Sequence, residues 1–162
     1  MNFFLADILI SKDQDVDINI KKQILIKGLD LINKELKTSK TNNSCLTVSL
    51  RLTNIRNMKK LNYSFSGSNK ETNVLSFIPD PNETDENNNS VGDIAICVDV
   101  LKKEAKEQNK DFLDHLLHLF VHGVLHLLGY KHDADREASK MEQIEKSILS
   151  KLGIEDPYLI EL

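Results

Sequence analysis

Residues 122–132 read HGVLHLLGYKH, and both the fold and the chemistry that we predict depend on this stretch. His122 and His126 are four residues apart, so in a helix they lie on one face, about 6 Å apart along the axis. Gly129 can adopt the left-handed conformation that ends a helix, which turns the chain back and brings His132 toward the same point. We therefore predict that His122, His126 and His132 bind one metal ion.

Zinc is the metal that this pattern favours. Three imidazole nitrogens leave a fourth tetrahedral position for water, which is typical of a catalytic zinc site rather than a structural one. Such an ion lowers the pKa of its water from about 15.7 to near 7, or polarises a phosphoryl oxygen. We expect one Zn²⁺ with three histidine ligands and one water, and hydrolysis as its chemistry. The alternative, ordinary helix histidines, is disfavoured by the added glycine turn and third histidine.

The same spacing occurs in zinc peptidases, which also have the central glycine. In those enzymes a glutamate follows the first histidine and acts as the general base. Here that position is Gly123. A peptidase would lack its base, so the sequence disfavours this activity.

Two further histidines lie on the same face of this predicted helix as His122 and His126, nearer to its start. His115 lies about two turns from His122, too far to share its ion, and we expect it at the surface or in support of a ligand. His118 lies one turn away and could contact a bound phosphate. For both residues the sequence favours a structural role.

Each ligand histidine needs a carboxylate or a carbonyl on its second ring nitrogen. Asp93, Asp133 and Asp135 are the candidates, and the sequence does not rank them. Asp133 has a second interpretation, because together with Asp135 it can cap the last helix.

The chain is 162 residues long, with 40% hydrophobic and 28% charged residues. This is enough for one domain with a full core and too short for two. The first ten residues are apolar but lack a basic leader, and no apolar stretch approaches the roughly 18 to 20 residues that span a bilayer. We expect a soluble cytoplasmic protein with one domain over residues 1–162. Cys45 and Cys97 lack metal-type or redox-type spacing, so we expect reduced, buried thiols.

The net charge of −4 conceals an uneven distribution. Residues 1–70 contain 12 basic and 6 acidic residues, whereas residues 71–162 contain 9 and 19. Because phosphate contacts are local, a basic face in the first part could bind RNA despite the overall sign. The alternative is that these side chains only keep the protein soluble. The candidate face consists of Lys21, Lys22, Lys27, Lys34, Lys37, Arg51, Arg56, Lys59 and Lys60.

Strand and helix patterns alternate along the chain. Short β-branched runs predict strands, and apolar residues three and four apart predict helices. The polar, proline-containing segment 79–90 is typical of a mobile loop. An α+β fold follows, in which one small four-stranded mixed sheet is covered by helices. The predicted strands are 3–10, 45–52, 72–78 and 92–98. The predicted helices are about 19–37, a short helix capped by Thr53 or Asn54 and ending at about 62, 100–107, 112–128 and 134–152.

The histidine stretch resembles the signature H-G-x-L-H-L-x-G-Y-D-H of the YbeY family, which comprises bacterial metal-dependent endoribonucleases and ribosomal RNA maturation factors. TNVLSFI at residues 72–78 resembles the family's T-D-V-L-S-F-P, and GDIAIC at 92–97 resembles its G-D-I-x-I-C. LTVSLRLTNIRNMKKLN at 46–62 and EDPY at 155–158 also have counterparts. The resemblance covers most of residues 45–133.

The resemblance implies a function as well as a fold. By it, His122, His126 and His132 are the zinc ligands of a metal-hydrolase-like domain. It implies a single-strand-specific endoribonuclease that matures the 3′ end of small-subunit ribosomal RNA and takes part in ribosome quality control. The implied partners are ribosomal RNA and the small ribosomal subunit. No membrane is expected, and the sequence does not identify an obligate protein partner.

Four positions depart from the family pattern. Lys131 replaces an aspartate in the histidine motif, Asn73 replaces another aspartate, and Ile78 replaces a proline. Ser66 aligns with an arginine that would clamp a phosphate, so either a lysine substitutes or catalysis is slow. We therefore assign no catalytic arginine. The lysines that could substitute are Lys59, Lys60, Lys70 and Lys131.

Three functions follow in decreasing order of support. The first is a zinc-dependent endoribonuclease acting on ribosomal RNA precursors. The second is a ribosome assembly factor without turnover, whose zinc site is structural; Ser66 and the negative net charge favour it. The third is a zinc peptidase. The sequence assigns no nucleophile, general base or RNA-binding residue, and Ser76 and Asp93, although they match family segments, are expected to be ordinary strand and turn residues.

Overall fold

The computed structural model describes residues 6–36, 46–80, 82 and 90–159. Strands and helices alternate in its first part, and helices alone follow the last strand. In chain order the elements are β1 (Asp7–Lys12), α1 (Lys22–Leu36), β2 (Thr47–Thr53), α2 (Ile55–Ser66), β3 (Val74–Phe77), β4 (Ser90–Cys97), α3 (Val98–Glu107), α4 (Phe112–Leu127) and α5 (Asp135–Lys151).

The strands form one sheet in the order β1-β2-β4-β3. Strands β1, β2 and β4 are parallel, whereas β3 pairs antiparallel with β4 at one edge. Parallel neighbours need a crossover connection, and α1 provides it between β1 and β2. The predicted α+β class and the four-stranded mixed sheet are confirmed.

One face of the sheet carries the main core. Strand side chains alternate between the two faces, and on this face Ile8, Leu50 and Ile94 pack with buried residues of α1, α4 and α5. Helix α4 is apolar over most of its circumference, and Phe120 and Val124 are completely buried in it. Neither α4 nor any other helix of the described residues is long and apolar enough to cross a membrane.

The opposite face of the sheet is covered by α2. Met58 of α2 packs against Ala95 and Cys97 of β4. Cys97 is a free, buried thiol, as predicted. Cys45 lies outside the described residues.

The predicted elements are found, with boundaries displaced by a few residues. Strand β1 ends at Lys12, later than the predicted strand 3–10, of which residues 3–5 lie outside the described part of the chain. Helix α2 continues beyond the predicted residue 62 and ends at Ser66, before Gly67. Ends of elements depend on local caps and on packing, which hydrophobic periodicity does not report.

The segment predicted as a loop over residues 79–90 overlaps β4 at its last residue. Ser90 already belongs to β4, paired with β2. Residues 81 and 83–89 lie outside the described residues. Helix α3 begins at Val98, immediately after β4 and two residues before the predicted start.

Candidate metal centre

Helix α4 and the turn that follows it present the three predicted ligands. The Asp111 side chain caps the helix start by accepting a hydrogen bond from the Asp114 amide. At the other end Gly129 has φ of +100°, the left-handed region that its lack of a Cβ permits. The Tyr130 amide donates to the Leu125 carbonyl at 3.0 Å, the closing bond of a Schellman turn. The predicted glycine turn is confirmed.

The turn brings the imidazoles of His122, His126 and His132 together. One ring nitrogen from each lies within 4.8 Å of the other two. The Nε2 atoms of His122 and His126 are 2.9 Å apart, and the ring centre of His132 is 4.8 Å from that of His126. These three residues could therefore hold one metal ion.

The hydrogen bond made by His126 Nδ1 determines whether His126 Nε2 has a lone pair for a metal ion. His126 Nδ1 lies 3.0 Å from the Tyr130 carbonyl oxygen, and a carbonyl only accepts, so Nδ1 carries the proton and donates it. His126 Nε2 then has a lone pair. Burial, together with the neighbouring His122 and His132, lowers the pKa of His126, so the ring is neutral at neutral pH.

His122 has the same arrangement with a carboxylate. Its Nδ1 donates to Glu145 Oε1, so in the neutral tautomer of this ring the lone pair is on Nε2. The Nε2 lone pairs of His122 and His126 thus face each other, an arrangement that only a shared proton or a cation makes favourable. A metal ion bound by neutral imidazoles fits this donor set.

Glu145 is completely buried and accepts three hydrogen bonds. The donors are His122 Nδ1, His118 Nε2 at 3.3 Å, and the Tyr158 hydroxyl. Burial alone would raise the pKa of Glu145, but these three hydrogen bonds outweigh it and lower the pKa to about 2. Glu145 is therefore a carboxylate at neutral pH. His118, His122 and Glu145 also have the spacing of a metal site, but their atoms are already hydrogen-bonded to one another.

A cleft of about 470 Å³ opens above the triad. One wall is β3, and the other is the turn after α4. His122 and His126 are half-buried in the cleft, whereas His132 and Lys131 are exposed at its rim. Its lining comprises Asn73, Val74, Leu75, Ser76, Ile78, His122, His126, Gly129, Tyr130, Lys131 and His132.

His115 and His118 support helix α4 rather than line this cleft. His115 is only 4% exposed, and its Nε2 lies 2.7 Å from the Glu104 carboxylate on α3. The predicted structural role fits this buried pair, whereas the surface position, one of the two that were predicted, is wrong. Burial lowers the pKa of His115. His118 contacts Glu145 and Tyr158 behind His122. This position fits the favoured structural role of His118, and the alternative, a contact with phosphate, finds no support in it.

Asn73 explains one departure from the family pattern. Its side-chain amide donates to Glu104 at 3.1 Å, and it lines the cleft. An aspartate at this position would place a second carboxylate against Glu104, and like charges at this distance repel. The amide therefore suits the neighbour that this chain has.

None of the three predicted aspartates orients a triad histidine among the described residues. Asp93 lies on β4 and lines a pocket on the α2 face of the sheet. The cap residue of α5 is Ala134, without a side-chain hydrogen bond, so the predicted caps Asp133 and Asp135 are also wrong. Asp135 instead lies in the first turn, where a negative charge favours the helix.

Sequence reasoning missed Glu145. The residue lies on the buried face of α5, in line with Met141, Ile148 and Leu149. A glutamate at a core position of an amphipathic helix needs a buried partner. The helical spacing that places Glu145 among these apolar residues is visible in the sequence, and it could have indicated a buried carboxylate with a partner.

Position 123 cannot provide the general base of a peptidase. The residue there is a glycine, and the surrounding side chains leave no room for a glutamate. A Cβ at this residue would lie 3.2 Å from both Ser76 Oγ and Ile94 Cδ1. Ser76 Oγ also donates to the Gly123 carbonyl at 3.1 Å. Position 123 faces the sheet, so a glutamate side chain has no room there.

Ser66 does not reach the cleft. Its hydroxyl donates to the Asn62 carbonyl at 2.9 Å at the end of α2. Of the lysines considered as substitutes for an arginine, Lys131 is the one that lines the cleft in the described structure. Lys59 instead lies 3.8 Å from Glu71.

The predicted basic face does not form one surface. Helices α1 and α2, which carry most of its lysines, pack on opposite faces of the sheet. Lys22 pairs with Asp7 at 2.9 Å, and Arg51 pairs with Asp13 at 2.9 Å. Lys37 lies outside the described residues. The charge count was correct, but the sheet separates the charges.

Comparisons with known proteins agree on one family. Residues 9–153 match the family model described as Endoribonuclease YbeY. The Endoribonuclease YbeY of Bartonella henselae is 41% identical over 153 residues, which cover 94% of this chain and 95% of that protein. The Endoribonuclease YbeY of Colwellia psychrerythraea is 44% identical over 126 residues, which cover 76% of this chain and 79% of that protein.

A solved structure supports the fold. The solution structure of TM1509 from Thermotoga maritima matches with a TM-score of 0.54 and 22% identity, covering 94% of this chain and 99% of that chain. At this identity the match concerns the fold alone. The α+β fold of this chain therefore recurs in a distant protein.

Proposed function

The chain belongs to the YbeY endoribonuclease family, whose members hydrolyse phosphodiester bonds, and we propose that it is a zinc-dependent, single-strand-specific endoribonuclease of ribosomal RNA maturation. Its substrate is the 3′ end of small-subunit ribosomal RNA, its partner is the small ribosomal subunit, and it acts in the cytoplasm. Residues 1–162 act as one domain.

The observation that carries this proposal is the convergence of three imidazole nitrogens. The Nε2 atoms of His122 and His126 lie 2.9 Å apart, and His132 completes a three-nitrogen donor set. Neutral imidazoles suit zinc, and three protein ligands leave a position open. When bound, such an ion polarises a phosphoryl oxygen and lowers the pKa of water.

The cleft supports a preference for single strands. Pockets of about 300–1,000 Å³ enclose small molecules, so a cleft of about 470 Å³ accommodates a nucleotide or two of one strand. A cleft of this volume encloses one strand more readily than the two strands of a duplex. A splayed, extended strand can place its backbone against the triad.

The chain's own groups would orient that strand. The Cys97 amide donates to the Asn73 carbonyl at 2.9 Å, and hydrogen-bonding direction alternates along an antiparallel pair. The amides of Val74 and Ser76 therefore point away from β4 along the cleft wall, where they can donate to phosphate or ribose oxygens. The Lys131 ammonium supplies positive charge at the rim.

Glu145 does not act as the general base in this proposal. Its carboxylate is completely buried behind His122 and already accepts three hydrogen bonds. A base must reach the proton that it removes. Its contribution is to keep the His122 proton on Nδ1.

A second candidate is a ribosome assembly factor that binds without cleaving and whose zinc is structural. The specific observation in its favour is Ser66, whose hydroxyl is bonded within α2 and supplies no guanidinium to the cleft. This candidate predicts tight RNA or subunit binding with no turnover.

The deciding experiment uses purified protein and RNA carrying the 3′ end of a small-subunit ribosomal RNA precursor, as a single strand and as a duplex. Zinc content is measured by mass spectrometry on the same preparation. We expect cleavage of the single strand that is lost with a chelator, returns with zinc and is absent in His126→Ala. Cleavage that survives both chelation and His126→Ala would refute the metal-dependent mechanism, and binding without cleavage would favour the assembly factor.

A further inference from the structure

Glu145 connects the metal centre to the C-terminal segment of the chain, defined here as residues 154–159. Its Oε1 atom accepts from His122 Nδ1, and its Oε2 atom accepts from His118 Nε2 and from the Tyr158 hydroxyl. Both carboxylate oxygens are thus engaged, and the side chain is 0% exposed. Its orientation is fixed from three sides.

We propose that Glu145 is a positioning residue for the His122 ligand, and that Tyr158 makes metal affinity depend on the docking of the C-terminal segment. The inference rests on the proposed metal centre. It concerns affinity and ligand orientation, not the chemical step.

The first part of the proposal follows from the hydrogen-bonding pattern at His122. By accepting from Nδ1–H, the carboxylate keeps the lone pair of His122 on Nε2, the atom that faces His126. A carboxylate partner also makes the imidazole a better donor to a metal, and such outer partners hold the ring at the angle that the ion needs. Without Glu145, the ring is free to rotate or to change tautomer.

The second part follows from how Tyr158 is held. The ring of Tyr158 packs edge-on against His118, with centres 5.4 Å apart. Lys146 on α5 lies 5.7 Å from the Tyr158 ring centre and 3.4 Å from Asp156. The segment is also fixed by Lys110, whose ammonium donates to the Pro157 carbonyl at 2.9 Å. The hydroxyl therefore reaches Glu145 only when this segment is docked.

The same helix supplies a matched control. His115 also lies on α4 and is bonded to a carboxylate, Glu104, at 2.7 Å, but it contributes no atom to the triad. Changing Glu104 to Gln removes the same charge from the same kind of pair. A purely structural role predicts similar effects at both positions, whereas a positioning role predicts an effect on metal binding at Glu145 alone.

The test measures zinc affinity of the metal-free full-length protein by competition with a chromophoric chelator, for wild type, Glu145→Gln, Glu104→Gln and Tyr158→Phe. We expect Glu145→Gln to weaken zinc binding by about 10- to 100-fold, the usual effect of losing an outer partner. Tyr158→Phe should weaken it by roughly 2- to 10-fold, since it removes one hydrogen bond. Glu104→Gln should leave it unchanged. Cobalt absorption spectra should show altered ligand geometry in Glu145→Gln only.

The outcomes separate this inference from the proposed function. Wild-type protein that binds no zinc refutes the metal centre and the inference with it. Tight wild-type binding with unchanged affinity in Glu145→Gln, or equal losses in Glu145→Gln and Glu104→Gln, refutes the inference alone. If Glu145→Gln does not fold, as judged by metal-free thermal unfolding, Tyr158→Phe decides, and wild-type affinity there overturns the proposal.

Discussion

Helix α4 carries two histidine–carboxylate pairs of similar composition and different consequence. His122 donates to Glu145 on α5, and His115 bonds Glu104 on α3. The remaining nitrogen of His122 faces His126 across a cleft. The remaining nitrogen of His115 is buried without a hydrogen-bond partner in the described structure. A carboxylate partner does not by itself make a ligand; what faces the other nitrogen does.

The largest effect should come from removing a histidine on the cleft side. We expect His126→Ala to lose zinc binding and RNA cleavage by more than about 100-fold, beyond what the loss of an outer partner costs. His115→Ala is the matched change in the buried His115–Glu104 pair, and it should retain both zinc binding and RNA cleavage. Zinc stoichiometry by mass spectrometry and single-strand cleavage rates measure the contrast. Stoichiometric zinc in His126→Ala would erase the difference between the two pairs.

A second large effect should appear on the side of α4 that faces the sheet. Gly123→Glu restores the peptidase pattern but forces a charged side chain against Ser76 and Ile94. We expect a loss of more than about 3 kcal/mol in the free energy of unfolding, from overpacking and an unpaired buried charge. Urea denaturation measures it. A stable variant with casein-hydrolysing activity would contradict the placement of position 123.

A smaller effect should separate stability from metal binding. His115→Ala removes the partner of Glu104, and we expect a loss of about 1–3 kcal/mol in the free energy of unfolding. Zinc affinity should remain at the wild-type value. Denaturation and chelator competition on one preparation check both. Reduced zinc affinity would mean that the two pairs are coupled through the helix.

Acidification should reveal the contribution of His115 to the free energy of unfolding. Burial lowers the pKa of His115 below its ordinary value of 6.5, so folding favours the neutral ring. This contribution is present above pH 6.5 and is lost as the pH falls through the folded-state pKa. His115→Ala should therefore lose less stability than wild type between pH 7 and roughly pH 5. The free energy of unfolding of the metal-free wild type and of metal-free His115→Ala is measured by denaturation at several pH values. An equal dependence on pH in the two proteins would contradict the prediction.

The smallest effect should come from the rim of the cleft. Lys131→Ala should weaken single-strand RNA binding a few-fold and reduce the slope of log affinity against log salt by about 0.7, the value for one phosphate contact on a single strand. Lys59→Ala, outside the cleft, is the control and should leave the slope unchanged. An unchanged slope in Lys131→Ala would remove this residue from the proposed RNA contact.

The arrangement of the triad could be predicted from the sequence because its determinants are local. His122, His126 and His132 lie within eleven residues, and helix periodicity with a glycine turn relates their positions directly. The strands and the core face of α4 followed from periodicity in the same way.

The supports of the triad could not be predicted in this way because they come from elsewhere in the chain. Glu145 belongs to the next helix, and its partner depends on how α4 and α5 pack. The basic face failed for a related reason, since counting charges along residues 1–70 ignores that α1 and α2 lie on opposite faces of the sheet. His115 was expected either at the surface or in support of a ligand, because periodicity places a residue on one face of a helix without indicating which element covers that face.

The turn at Gly129 makes the assembly of this centre cooperative. The same few residues supply the Tyr130 carbonyl that orients His126 and the segment that carries His132. If the turn opens, His132 moves away from the other two imidazoles and His126 loses the carbonyl that orients it in a single event. Binding of a metal ion should therefore slow hydrogen exchange most strongly at the Gly129 and Tyr130 amides. It should also protect the backbone there from proteolysis, because the bound ion would stabilise the closed turn.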